Sequence, residues 1–313
     1  MRDFPNGVWP TMITPFLESG QIDYGAVEEL VEWYRSQGVD GLFAACQSSE
    51  IFYLSLRERA ELVRFIKRKA RELPVIASGH ISNDMDDQVR ELNAMAEAGA
   101  DAVVLISNRL AGPGETDEVF LRRLQRVMDG LPRELPLGFY ECPYPYKRLL
   151  TPEVVRFCAA SGRFAFLKDT SCAMADIRTK LDLAAGSPLK LYNANTATLL
   201  DSLNAGAAGY SGVMANVQPS LYVWLVRHYQ AEPEKARVVQ NILTACSWLE
   251  FKHYPDCAKG FLRLSGLSMK TGSRTNPGYR LSDTEWDELR QLGELTGGVR
   301  RWLAGETHKE QSL

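Results

Sequence analysis

The sequence lacks most of the features that assign a protein on sight. Its six cysteines (Cys46, Cys142, Cys158, Cys172, Cys246 and Cys257) include no CxxC or CxxH pair. Its four histidines (His80, His228, His253 and His308) show no HxH or HExxH spacing. Structural zinc and metalloprotease chemistry are therefore not expected. A GxGxxG turn and a GxSxG elbow are both absent, which argues against a dinucleotide-binding sheet and a serine–histidine hydrolase. Positive charge is not in excess either. The 36 Lys and Arg against 39 Asp and Glu leave a net charge of −3, without the basic stripe of a nucleic-acid binder. The short cluster Lys67, Arg68, Lys69 and Arg71 has Glu61 and Glu72 beside it and reads as a solvated helix face.

Long apolar runs are missing too. Residues 202–226 are uncharged, but Asn204, Gly206, Gly209, Gly212, Asn216, Gln218 and Pro219 interrupt them too often for a membrane span. The opening MRDFPNGVWP has no apolar stretch of signal-peptide length. Cysteines embedded in apolar segments behave as small hydrophobes, so free thiols in a reducing compartment are expected. The expectation is a soluble cytoplasmic protein with no membrane segment and no nucleic-acid partner.

What is present is an ordinary globular composition over 313 residues, 45% hydrophobic and 24% charged. That length fits one large barrel or two ordinary domains. Short β-type runs recur at residues 8–14, 41–46, 74–79, 102–106, 135–140, 164–168, 189–192 and 208–215. Amphipathic stretches separate them, such as 24–36, 55–72, 85–98 and 118–128. Asp23, Ser55, Asp84, Thr116 and Thr151 are expected N-caps, and Gly38, Gly99 and Gly130 are expected left-handed helix ends. Eight β-α units predict a (β/α)8 TIM barrel over residues 1–230, with a small helical region over 231–313. A doubly wound sheet is the alternative.

In such a barrel, chemistry collects at the C-terminal strand ends. Those positions hold Thr14, residues 46–50, Ser78 and His80, residues 107–109, Tyr140 to Cys142, Lys168 to Ser171, Asn193, Asn195 and Ser211. Lys168 closes the apolar run FAFL. Desolvation there would lower its pKa and free an amine able to attack a ketone. A lysine turned to solvent or paired with Asp169 fits the position equally. Tyr140 is either a proton shuttle or a core tyrosine. Gln47-Ser48-Ser49-Glu50 is either a cradle for a small carboxylate or a polar turn.

Several segments in order resemble one family. They are GVWPTMITPF near the start, QSSE followed by YLS, YECP with LLTPE, FLKDTS around Lys168, GVMANVQP, and YPDCAKGFLRLSGL. Over about residues 7–280 the chain resembles the dihydrodipicolinate synthase/N-acetylneuraminate lyase family of class I, Schiff-base-forming aldolases and lyases. The resemblance implies that Lys168 is the Schiff-base lysine and Tyr140 the proton-relaying tyrosine. It implies that Ser48, with Ser49, holds the 2-oxo acid carboxylate. It also implies that no cofactor or metal is used and that the protein is a homotetramer assembled from dimers.

Three positions depart from the family pattern. Gln47 stands where a relay hydroxyl is usual, residues 107–114 (SNRLAGPG) lack the tyrosine lent to a neighbouring subunit, and Pro145 replaces an arginine that holds a second carboxylate. The expected function is thus a carbon–carbon or carbon–oxygen lyase acting on pyruvate or another 2-oxo acid, such as a 2-keto-3-deoxy sugar acid, rather than the lysine-pathway enzyme. Gln47, Ser211, Arg109 and His80 are expected to contact substrate. The alternatives are a turnover-free 2-oxo acid-binding barrel serving as sensor or scaffold, and dihydrodipicolinate synthase itself. A metal-assisted hydrolase using His80, Glu50 and Asp169 is a further one.

Overall fold

A computed structural model describes residues 4–306; His308 lies outside them. Eight parallel strands are formed by Gly7–Val8 (β1), Leu42–Ala44 (β2), Val75–Ala77 (β3), Ala102–Ile106 (β4), Leu137–Tyr140 (β5), Phe164–Asp169 (β6), Lys190–Asn193 (β7) and Gly209–Tyr210 (β8). Helices Tyr24–Ser36 (α1), Leu56–Lys69 (α2), Met85–Glu97 (α3), Asp117–Asp129 (α4), Pro152–Ser161 (α5), Met174–Ala184 (α6), Leu199–Asn204 (α7) and Pro219–His228 (α8) alternate with them. Pro233–Cys246 (α9), Asp256–Leu264 (α10) and Asp283–Leu303 (α11) follow within the described residues. The strand order is β1-β8-β7-β6-β5-β4-β3-β2. A parallel bridge between Thr11 and Phe43, with Met12 N–H donating to the Phe43 carbonyl and Phe43 N–H to that of Pro10, joins the two ends. The fold is the expected (β/α)8 barrel.

The first and last expected strands shorten for a local reason. Pro10 and Pro15 remove ladder donors after β1, and residues 213–216 wind into a 3₁₀ turn after β8. All five expected N-caps accept from a first-turn N–H, and Ser55 forms a full capping box with Glu58. Gly38 and Gly99 are left-handed as expected, at φ +79° and +96°. Gly130 is not: it has φ −83°. A Cβ there would sit 2.6 Å from Val89 Cγ1, so glycine is needed for the approach of α3 to α4. Three members of the basic cluster are ion-paired, Lys67 with Asp101, Lys69 with Glu28 and Arg71 with Glu32, and Arg68 lies over the Phe65 ring.

Aromatic rings fill the barrel. Phe166 stacks on Tyr192 at 4.2 Å and meets Trp9 edge-on at 5.3 Å, and Phe43 packs against Phe166 at 6.1 Å. Strand periodicity then puts Lys168 on the same face as Phe166 and sends Asp169 to the other, toward the helices. No helix among the described residues is long and apolar enough to cross a membrane.

Candidate active site

Tyr140 ends β5 and Lys168 is the penultimate residue of β6, and the two are register partners in the parallel ladder. Their neighbours Glu141 and Asp169 face outward and share the ammonium of Lys180 on α6, at 2.5 Å each. Glu141 also accepts from the N–H groups of Leu150 and Thr170. This buried clamp fixes both strand ends, and so fixes the two inward side chains. Asp169 is thus committed to Lys180 and is not the partner of Lys168.

Lys168 is 4% exposed. Its Nζ lies 4.3 Å from the centroid of the Tyr140 ring and 6.0 Å from that of Phe43. Burial pulls its amine from 10.5 down to about 8, partly opposed by Cys46, Cys142 and Glu250. About a tenth of it is then neutral at pH 7. Burial pushes the Tyr140 phenol well above 10, so it stays protonated. Its hydroxyl donates to Gln47 Oε1 at 3.2 Å, an oxygen that also accepts from Cys142 Sγ. A carboxamide at that point accepts a hydrogen bond but does not pass the proton on.

The turn after β2 comprises Gln47–Ser49, followed by Glu50 in the left-handed region at φ +62°. Ser48 faces a cavity of about 360 Å³, and its hydroxyl donates to Thr11 Oγ1. Ser49 serves the turn instead: its hydroxyl donates to the Met12 carbonyl and its N–H to that of Cys46. Glu50 is saturated, accepting from Lys259 Nζ, from the N–H groups of Arg274 and Thr275, and from the Thr275 hydroxyl. Gln47, Ser48 and Tyr140 share the cavity with Phe52, Tyr144, Glu250, Phe251 and Tyr254. Lys168 does not line this cavity itself; it lies against the face of the Tyr140 ring, which does.

Three further candidates stand elsewhere. His80 is fully buried. Ile106 N–H donates to its Nε2 at 2.6 Å, so its Nδ1 carries the proton and donates to Gln88 Oε1. Ser211 is fully buried and donates to the Trp9 carbonyl. Arg109 holds Asn83 and packs at 5.4 Å against Phe52, which separates it from the cavity. His80, Glu50 and Asp169 are each committed to different partners, and no group of three potential metal ligands occurs among the described residues. Conversely, the strand-end rule misses Glu250, Phe251 and Tyr254, which come from the region after α9. Within that region only the YPDCAKG segment signals an involvement.

A parallel barrel with a buried amine and phenol at adjoining strand ends is the framework of an aldolase-like lyase. The dihydrodipicolinate synthetase family model matches residues 4–293, and the chain belongs to that family. Enzymes of this family work through a lysine–pyruvate Schiff base and need no external cofactor. The 4-hydroxy-tetrahydrodipicolinate synthase of Corynebacterium diphtheriae is 27% identical over 288 residues, covering 91% of this chain and 93% of that one. Among solved structures, a prophage protein of the family from E. coli K12, in complex with pyruvate, superposes with a TM-score of 0.84 at 23% identity. It covers 93% of this chain and 98% of its own. A dihydrodipicolinate synthase of Bacillus anthracis gives 0.84 at 21%, covering 94% and 99%.

Proposed function

We propose that this chain is a class I lyase that binds pyruvate or another 2-oxo acid as a Schiff base on Lys168. The neutral amine attacks the ketone carbon, and Tyr140 moves protons as the carbinolamine loses water. The protonated imine then draws electrons from the adjoining carbon. Either a carbon–carbon bond breaks, as in aldol cleavage, or a hydroxyl leaves, as in dehydration of a 2-keto-3-deoxy sugar acid. Ser48 holds the carboxylate, with Gln47 beside it. The observation that carries this reading is the buried Lys168 amine, lowered to about 8 and set 4.3 Å from the Tyr140 ring. A homotetramer working in the cytoplasm goes with it.

Activity as a 4-hydroxy-tetrahydrodipicolinate synthase is the second reading, favoured by the curated relative. Pro145 in place of a carboxylate-binding arginine speaks against it. Borohydride reduction in the presence of pyruvate, followed by peptide mapping, tests the mechanism. A stable adduct on Lys168, lost in Lys168→Ala, is expected. An unmodified Lys168 with pyruvate and with longer 2-oxo acids would rule the mechanism out. An adduct without product from any 2-oxo acid offered would leave a binding barrel.

A further inference from the structure

We propose that Glu250 and the aromatic wall around it select the second reactant of this site: an aldehyde whose far end is aryl or apolar and carries a neutral hydrogen-bond donor, and not a second carboxylate. This deepens the Schiff-base reading and rests on it.

Glu250 lies on the 3₁₀ turn Ser247–Phe251 and lines the same cavity as Tyr140 and Ser48. No hydrogen bond or ion pair engages its carboxylate among the described residues, and the one charge acting on it is that of Lys168. The other carboxylate of the wall, Glu50, is saturated by Lys259, Arg274 and Thr275. No Arg, Lys or His lines the cavity directly; the nearest cation is Lys168, behind the Tyr140 ring, where the imine forms. With the Lys168 nitrogen committed to the imine, an anionic far end entering past Ser48 would meet the unpaired Glu250 carboxylate and no further cation, and like charges in a half-buried site repel.

The rest of the wall is suited to flat apolar groups. Phe52 and Tyr144 meet edge-to-face at 4.9 Å, with Tyr53, Pro143, Val213 and Phe251 around them. Tyr53, Tyr144 and Phe251 are 49%, 51% and 74% exposed, which leaves aromatic area for a ligand to cover. Burial raises the Glu250 carboxyl above its ordinary value, and Lys168 opposes that shift. A carboxylate so placed gains most from accepting a hydroxyl hydrogen bond.

The step is balanced without an added reagent. The Lys168–pyruvate imine loses a C3 proton to give the enamine. C3 then bonds to the aldehyde carbon while the aldehyde oxygen takes up a proton. Water hydrolyses the imine, releasing a 4-hydroxy-2-oxo acid and free Lys168. The reverse sequence cleaves the same bond.

The test compares kcat/KM for 4-hydroxybenzaldehyde and for succinic semialdehyde, each with pyruvate, in the wild-type protein, Glu250→Gln and Glu250→Arg. The wild type is expected to favour the aryl aldehyde by roughly tenfold or more. Glu250→Gln should narrow that ratio mainly through KM, and Glu250→Arg should reverse it. A wild-type protein that forms the pyruvate adduct yet uses succinic semialdehyde equally well, or uses neither aldehyde, would overturn the inference. So would a ratio unmoved in folded Glu250→Gln. Absence of the adduct overturns the Schiff-base reading first, and this inference with it. The wild-type ratio is informative even where a variant fails to fold.

Discussion

Lys168 Nζ lies over the face of the Tyr140 ring, 4.3 Å from its centroid. A cation over an aromatic face is stabilised by about 0.5–2 kcal/mol, which by itself would hold the amine protonated. The amine is instead lowered from 10.5 to about 8. That shift corresponds to about 3 kcal/mol in the opposite direction. Desolvation therefore outweighs the ring, and the pair holds an amine that is easily deprotonated beside a phenol that is not.

The first prediction concerns pH. Attack requires the neutral amine, so the rate of trapped adduct formation should rise from pH 6 to 9 with a midpoint near 8. A midpoint near that of free lysine would show that burial does not control the amine. Stability moves in the same direction: below about 8 both folded and unfolded chains hold the proton and the folded chain bears the full cost of burying it, and this cost fades as pH rises from 8 to 10.5. Lys168→Met should therefore be more stable at pH 7, by about 2–3 kcal/mol in urea unfolding.

The second concerns the clamp. Lys180 joins Glu141 and Asp169, both fully buried. Lys180→Met leaves two uncompensated carboxylates and should cost about 3–5 kcal/mol. Replacing all three residues by apolar ones of similar volume should recover much of that loss. If the single variant unfolded at the wild-type urea concentration, the clamp would contribute nothing to the strand ends.

The third concerns His80. Burial lowers it from 6.5 to about 4, so it folds neutral while the unfolded chain takes a proton below 6.5. Stability is fully present above 6.5 and is lost as pH falls toward 4, by about 3 kcal/mol. The check is urea unfolding between pH 7 and 4, compared with His80→Gln. Parallel slopes in the two proteins would remove His80 as the source.

Strand-end position is enough to bring Lys168 and Tyr140 together, because a barrel strand that stays apolar up to a lysine near its end carries that amine to the C-terminal end of the barrel beside its neighbour. The same rule also picks out His80 and Ser211, which the structure buries among other partners. Position along the barrel axis is written in the sequence. Which way a side chain turns at a loosely paired strand end depends on packing against neighbouring strands. Glu250 and Tyr254 escape for a different reason. They follow an amphipathic pattern that reads as one more surface helix, and only tertiary packing carries the Ser247–Phe251 turn to the barrel mouth. Gly130 shows the same limit, since a packing demand and a left-handed helix end leave the same letter.

Glu50 ties the loop that carries Gln47 and Ser48 to Lys259, Arg274 and Thr275, more than 200 residues further on. During synthesis all eight strands leave the ribosome well before those partners do. Until then the Glu50 carboxylate has no ammonium to meet, and the cavity lacks Glu250, Phe251 and Tyr254. A nascent barrel can therefore pair its strands while the cavity at its mouth is still open on one side, and that wall closes only once residues 250–275 have emerged.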